Sequence, residues 1–263
     1  MTRDPIPLKV HVIYPASPPK EKVNFGENLS KVLNLNFEIL NDPYEATYSS
    51  DPVHRKNILY KSLIDNEIDG IICARGGYGC SDLLSFFDWL KISSSKPKWL
   101  LGYSDISSLH SVFFSKLKWP CIHGPMPDTE AWHSEQSKKD LQDLSSLLQG
   151  TSSTVTINLQ AVKPKNTTKK QQGWLFGGCL SVLSNLIATP YLPRNFAGAI
   201  LFFEDVNESP EKILRTWNQW VQSGLLDQVQ GIILGKFINL NSSITLQGLW
   251  QEMANRTHSP VWG

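Results

Sequence analysis

Hydrophobic and polar positions follow one another along the chain in blocks that predict a parallel β-sheet with intervening helices. Six short apolar runs are near-continuous rather than alternating, as is typical of strands that are covered on both faces. They are KVHVIYP at 9–15, NFEIL at 36–40, IDGIICA at 68–74, KWLLGY at 98–103, GAILFFE at 198–204 and GIILGKF at 231–237. Stretches with helical periodicity separate several of these runs. We therefore predict an α/β fold built on a parallel, doubly wound sheet.

Helix boundaries are marked by capping residues and prolines. Asp51-Pro52 precedes the helical stretch VHRKNILYKSLIDN, and Ser209-Pro210 begins a second amphipathic helix that Gly224 ends. A further helix is predicted after Ser104, and another leads from Gly177-Gly178 to a stop at Pro190.

A polar segment divides the chain into two predicted domains. Residues 151–172, TSSTVTINLQAVKPKNTTKKQQ, are rich in threonine and lysine and contain one short alternating stretch, TVTINL, which fits a single hairpin strand. We expect an N-terminal domain at 1–150, a connecting segment at 151–172 and a C-terminal domain at 173–263.

Amino-acid composition indicates which kind of binding partner to expect. The 263 residues are 41% hydrophobic and 19% charged, with 25 basic and 24 acidic side chains and a net charge of +1. This balance favours a folded protein with a small-molecule partner, and neither a nucleic-acid surface nor a membrane surface is expected. No signal peptide or membrane-spanning run is recognisable, and the four cysteines form no C-x-x-C pair. A reducing cytoplasm is therefore expected.

Two turns that follow predicted strands are candidate sites. ARGGYGCSD at 74–82 lacks the third glycine of a dinucleotide fingerprint, but its adjacent glycines can aim backbone N–H groups at an oxyanion. A plain tight turn is equally compatible with this stretch. In LLGYSDISSLH at 100–110, Ser104 lies where a strand meets a helix, which suits a nucleophile. Because serine is also a good N-cap and the second glycine of the G-x-S-x-G elbow is missing, this stretch alone favours a cap.

Glu204 favours the interpretation of Ser104 as a nucleophile over that of a helix cap. It ends the buried strand run LFFE, where an acid is costly unless it is paired or functional. Period-2 alternation sends Glu204 and Asp205 to opposite faces, so that one can serve a site while the other caps a loop.

Five ordered motifs resemble one family. ARGGYG at 74–79, LGYSDISSLH at 101–110, HGPM at 123–126, the Gly-Gly segment through LSVLSNL at 177–186 and FFEDVNESPEKILR at 202–215 resemble the LD-carboxypeptidases. These are the muramoyl-tetrapeptide carboxypeptidase family of serine peptidases. The resemblance runs from about Lys9 to Gly263.

The resemblance implies a Rossmann-like N-terminal domain, a smaller α/β C-terminal domain and an active site in the cleft between them. It implies a Ser-Glu-His triad with Ser104 as nucleophile and Glu204 as the acid that orients the histidine, without metal or cofactor. The backbone N–H groups of Asp105 and Gly77 would form the oxyanion hole. The implied reaction releases terminal D-alanine from a cytoplasmic murein tetrapeptide during cell-wall recycling, and the implied assembly is a homodimer.

The sequence departs from the family pattern at two points. Cys179 stands where asparagine usually follows the Gly-Gly pair. The family histidine follows a segment like SPVWG, and none of the six histidines here occupies that position. His110 and His123 are alternatives that the family does not assign to this role. We therefore expect a chain that is cut short before its catalytic histidine.

Other functions have to be weighed against the same sequence. The same family includes the microcin C immunity peptidases, which cut aminoacyl-nucleotide conjugates. A non-catalytic peptide-binding homologue would retain the cleft without the base. A nucleotide-binding Rossmann protein is disfavoured by the missing third glycine. Arg75 either holds a substrate carboxylate or supports the turn from beneath.

Overall fold

The computed structural model describes residues 7–18, 29, 33–40, 51–135, 137–163, 170–240 and 242–263. The chain divides into two compact units, Met1–Thr156 and Ile157–Gly263, each with its own parallel sheet. The division falls within the polar segment 151–172.

The first unit is built on five parallel strands in the order β2-β1-β3-β4-β5. The strands are β1 (Leu8–Ile13), β2 (Leu35–Ile39), β3 (Gly70–Cys73), β4 (Trp99–Gly102) and β5 (Cys121–His123). Because the strands are parallel, the turns that follow β3, β4 and β5 meet at one edge of the sheet. Both candidate turns of the sequence lie at this edge.

Six α-helices of the first unit lie in the described residues: α1 (Pro52–Ile64), α2 (Cys80–Leu83), α3 (Trp89–Ile92), α4 (Ser107–Val112), α5 (Glu130–His133) and α6 (Ser137–Leu148). Short 3₁₀ turns span Leu84–Phe86 and Ser104–Ile106, and a π-helical turn spans Phe113–Leu117. The Asp51 carboxylate accepts the Val53 and His54 N–H groups, each at 3.0 Å, so α1 begins with the predicted cap.

The second unit has four parallel strands in the order β6-β7-β8-β9. They are β6 (Trp174–Cys179), β7 (Ala199–Val206), β8 (Gly231–Ile238) and β9 (Val261–Trp262), and the helices are α7 (Leu180–Ser184), α8 (Pro210–Gln222) and α9 (Leu246–Asn255). The TVTINL stretch forms no regular strand. The only β-pairing nearby in the described residues is an isolated antiparallel bridge from Ala161 to Trp262.

The predicted α/β fold is confirmed, and all six apolar runs are strands to within about two residues at each end. Strands β5, β6 and β9 were not anticipated. α7 ends at Ser184, well before Pro190; the chain continues in turns, and the left-handed φ of 67° at Ala188 keeps that residue out of a helix. None of the helices in the described residues is long and apolar enough to span a membrane.

Candidate active site

Ser104 sits on a strained turn between β4 and the helical segment that follows. Tyr103 is fully extended, with φ −151° and ψ −174°, and Ser104 then takes a left-handed φ of 60°. A left-handed serine costs about 1–3 kcal/mol, and such strain is typical of a nucleophile elbow. Tyr103, not Ser104, occupies the N-cap position, and no side chain caps this helix end. The helix-cap interpretation of Ser104 is therefore wrong.

The glycine-rich turn after β3 packs directly against Ser104. A Cβ on Gly76 would lie 3.1 Å from Ser104 Cβ and 3.3 Å from Ser104 Oγ, so a larger residue here would crowd the serine and force it to shift. Gly77 takes a φ of 121°, and its own Cβ would meet Ser17 Oγ at 2.2 Å. Both positions therefore favour glycine, one facing the serine and the other facing the loop after β1.

The Asp105 side chain ties the two turns together. Its carboxylate accepts the Cys80 N–H at 2.8 Å, at the start of α2 directly after the glycine-rich turn. Asp105 is buried, and burial raises the pKa of its carboxyl while the hydrogen bonds from Cys80 oppose that rise. This hydrogen bond fixes the Asp105 backbone relative to the glycine-rich turn. Asp105 and Gly77 are the two residues predicted to form the oxyanion hole.

Arg55 is a site-supporting residue that the sequence reasoning missed. Its Nη1 donates to the Pro15 carbonyl at 2.7 Å and to the Gly79 carbonyl at 2.8 Å, and its Nη2 lies 3.4 Å from the Asp82 carboxylate. Arg55 is 5% exposed, so it supports the glycine-rich turn from beneath. The available signal was helical spacing: Arg55 shares the buried face of α1 with Leu59, Ser62 and Leu63.

The rings of His110 and His123 have their centroids 6.3 Å apart, and the His123 ring lies equally far from that of Tyr103, the residue before Ser104. Burial lowers the pKa of His110 to about 3 and that of His123 to about 4. Both imidazoles are therefore neutral at pH 7 and are weak proton acceptors. This electrostatic setting argues against either residue as the general base.

Strand β7 places two acids on opposite faces. Its residues alternate between buried and half-buried positions, with Asp205 on the buried face and Glu204 on the other. Asp205 accepts the Ser181 N–H at 2.8 Å and the Ser181 hydroxyl at 3.2 Å, so it caps the start of α7. The period-2 alternation thus places Asp205, a structural carboxylate, and Glu204 on opposite faces of the strand.

Glu204 is enclosed by the neighbouring strands. It pairs in register with Cys179 on β6, and a Cβ on Gly235 of β8 would lie 3.4 Å from Glu204 Cβ. Burial, with a smaller contribution from the negative charge of Asp205, raises the pKa of Glu204 to about 7. Such a carboxyl sits near the operating pH of a proton-handling site.

Cys179 joins the Asp205 cluster. Its Sγ lies 3.5 Å from Asp205 Oδ1 and 3.4 Å from Ser181 Oγ, and burial raises the pKa of the thiol. The thiol is therefore a weak hydrogen-bond donor at this position, not a nucleophile. All four cysteines are free. Among the described residues, no cluster of three or more His, Cys, Asp or Glu side chains is arranged to hold a metal ion.

Two family matches cover most of the chain. Residues 10–124 match the LD-carboxypeptidase N-terminal domain, and residues 172–263 match the LD-carboxypeptidase C-terminal domain.

Curated relatives carry carboxypeptidase names. The chain is 31% identical over 235 residues to a probable murein peptide carboxypeptidase of Bacillus subtilis, covering 88% of this chain and 72% of the relative. It is 32% identical over 206 residues to the murein tetrapeptide carboxypeptidase of Pseudomonas aeruginosa, covering 74% and 66% respectively.

Solved structures share the fold. The muramoyltetrapeptide carboxypeptidase from Oxalobacter formigenes superposes with a TM-score of 0.76 at 21% identity, covering 96% of this chain and 86% of that one. The microcin C7 self-immunity protein in complex with aspartyl sulfamoyl adenosine gives a TM-score of 0.75 at 19% identity, covering 97% and 86%. The domain matches and the curated relatives together show that the chain belongs to the LD-carboxypeptidase family and is a hydrolase of the serine-type carboxypeptidase class.

Proposed function

We propose that the protein releases the terminal D-alanine of a murein tetrapeptide by cutting the bond between an L-centre and that D-alanine. Ser104 is the nucleophile, and Glu204 is the acid that orients a histidine base. The observation that carries this proposal is the strained Ser104 turn packed against Gly76, because it places a half-buried serine at the edge of the sheet beside the glycine-rich turn, whose backbone N–H groups can serve an oxyanion.

The proposed reaction runs through an acyl-enzyme. Ser104 Oγ attacks the carbonyl carbon before D-alanine while the base takes its proton, and the backbone N–H groups of Asp105 and Gly77 bind the resulting oxyanion. Collapse of the tetrahedral intermediate expels D-alanine with that proton, and water then hydrolyses the acyl-enzyme. The family resemblance assigns the base to a histidine that follows a segment like SPVWG.

The setting of the reaction belongs to the same proposal. Four free cysteines without a C-x-x-C pair support a reducing cytoplasm, where murein peptides are recycled. The family resemblance supports a homodimer.

The experiment is to incubate the complete protein with murein tetrapeptide and to measure released D-alanine. We expect release by the wild type and a loss of kcat/KM of at least roughly 10³-fold in Ser104→Ala, with its circular dichroism spectrum unchanged. Activity that survives in Ser104→Ala would contradict the serine mechanism. Cleavage of aminoacyl-nucleotide conjugates without cleavage of tetrapeptide would move the chain to the immunity branch, and binding without cleavage of either would make it a binding homologue.

A further inference from the structure

A carboxypeptidase has to distinguish a terminal carboxylate from an internal peptide bond, and a guanidinium is the side chain best suited to do so. Arg75 is one residue away from Gly76, which packs on Ser104. Arg75 is half-buried at the same edge of the sheet. Arg75 therefore belongs to the same turn that contacts the proposed nucleophile.

The structure separates the roles of the two arginines near this turn. The Arg55 guanidinium donates hydrogen bonds to the Pro15 and Gly79 carbonyls and contacts the Asp82 carboxylate. Arg55 is therefore the residue that supports the turn from beneath. Within the described residues, Arg75 makes no hydrogen bond and no ion pair within 4.0 Å. Its N–H donors are therefore available to a ligand.

Asp128 is an acid that lies within electrostatic range of Arg75. The Asp128 N–H donates to the Ala74 carbonyl at 2.9 Å, which brings the loop after β5 to the end of β3. Asp128 is 7% exposed, and its Oδ2 is buried without a hydrogen-bond partner in the part of the chain that the structure describes. Burial raises the pKa of the Asp128 carboxyl, and the positive charge of Arg75 opposes that rise.

We infer that Arg75 binds the terminal carboxylate of the substrate and that Asp128 is a positioning residue for it. This inference rests on the proposed function and deepens it. A guanidinium carries five N–H donors in a planar fork, so one edge can face Asp128 while another forms a bidentate contact with the ligand carboxylate. The loop after β5 also brings Met126 to Gly76, since a Cβ there would lie 3.4 Å from Met126 Cε. This loop therefore packs against the glycine-rich turn at the same edge of the sheet.

The test is a binding measurement that does not depend on turnover. In a Ser104→Ala background, calorimetry compares murein tetrapeptide ending in D-alanine with the same peptide ending in D-alaninamide. We expect the acid to bind about 10- to 100-fold more tightly than the amide. Adding Arg75→Gln should reduce this ratio to near one by weakening only the acid. Arg75→Lys should restore part of the ratio, and Asp128→Asn should reduce it partially.

The matched control is Arg194→Gln, which removes an exposed guanidinium of the second unit and should leave the ratio unchanged. A purely structural role of Arg75 would weaken acid and amide equally, and that result would overturn the inference. An unchanged ratio in Arg75→Gln, or no preference for the acid in Ser104→Ala itself, would overturn it as well. Release of D-alanine by the wild type is scored separately, so failure of the proposed reaction is visible independently of the Arg75 result.

Discussion

At the scale of single residues, the left-handed backbone of Ser104 stores strain in the native state. Glycine adopts this conformation without strain, whereas alanine does not. We expect Ser104→Gly to have a free energy of unfolding about 1 kcal/mol higher than that of Ser104→Ala, although both lack the hydroxyl. Urea denaturation of the two variants measures the difference. Equal stability would show that the turn is not strained by its side chain.

Gly76 offers a second residue-scale prediction, since an alanine there would push on Ser104. Gly76 lies outside the left-handed region, so the penalty of Gly76→Ala is steric. We expect kcat to fall by about 10-fold, because small displacements of a nucleophile are costly, and the free energy of unfolding to fall by about 1 kcal/mol.

Gly124→Ala is the matched control for this crowding. Its Cβ would lie 3.0 Å from Leu101 Cδ1, so it crowds a flexible leucine instead of the nucleophile. Stability should fall by a similar amount while kcat stays at the wild-type value. Equal losses of kcat in both glycine variants would contradict a specific contact between Gly76 and Ser104.

Sequence patterns made Ser104 and Glu204 candidates because both lie at the ends of apolar strand runs, where a polar residue is conspicuous. Helical spacing placed Arg55 on the buried face of α1 but did not indicate its role, and Asp128 gave no signal. Each owes its burial to chain segments distant in sequence, namely the carbonyls of Pro15 and Gly79 for Arg55 and the Ala74 carbonyl for Asp128. Local periodicity contains no information about such partners.

At the scale of elements, strand β7 predicts a specific pH dependence. Folding raises the pKa of Glu204 from its ordinary value of 4.5 to about 7. Between these two values the unfolded chain releases the proton while the native state keeps it, so this group lowers the free energy of unfolding as the pH rises. Relative to Glu204→Gln, the wild type should lose about 3 kcal/mol between pH 4.5 and pH 8.

The measurement is urea denaturation across this pH range. Glu252→Gln, which alters an exposed glutamate on α9 of the same unit, serves as the control and should follow the wild-type curve. Parallel pH profiles for wild type and Glu204→Gln would contradict a raised pKa at Glu204.

The elements that sequence predicted and those it missed differ in length and composition. β1, β7 and β8 are mostly apolar strands of six to eight residues and are recognisable without context. β5 has three residues and β9 has two, too few to show any period. β6 ends in Gly-Gly-Cys, and glycine signals a turn. It is a strand because Gly177 has no side chain to clash with the Phe202 carbonyl on β7.

At the scale of the whole molecule, the proposed catalytic groups are distributed over both units. Ser104 and the glycine-rich turn belong to Met1–Thr156, whereas Glu204 belongs to Ile157–Gly263. Order and spacing of motifs identified the family, but a joint role for groups on separate sheets has to be tested functionally. Non-additivity of mutational effects provides that test.

Residues of one catalytic triad lose their effects together, because removal of one member makes the others ineffective. We therefore expect Glu204→Gln to lower kcat/KM by roughly 10²-fold or more in the wild-type background and to have almost no further effect in Ser104→Ala. Rates of D-alanine release from murein tetrapeptide by the wild type, both single variants and the double variant complete the cycle. Stability measured on the same four proteins should instead be additive, since the strain at Ser104 and the burial of Glu204 arise in different sheets. If the losses in kcat/KM multiply, Glu204 acts independently of the serine and the proposed triad is wrong.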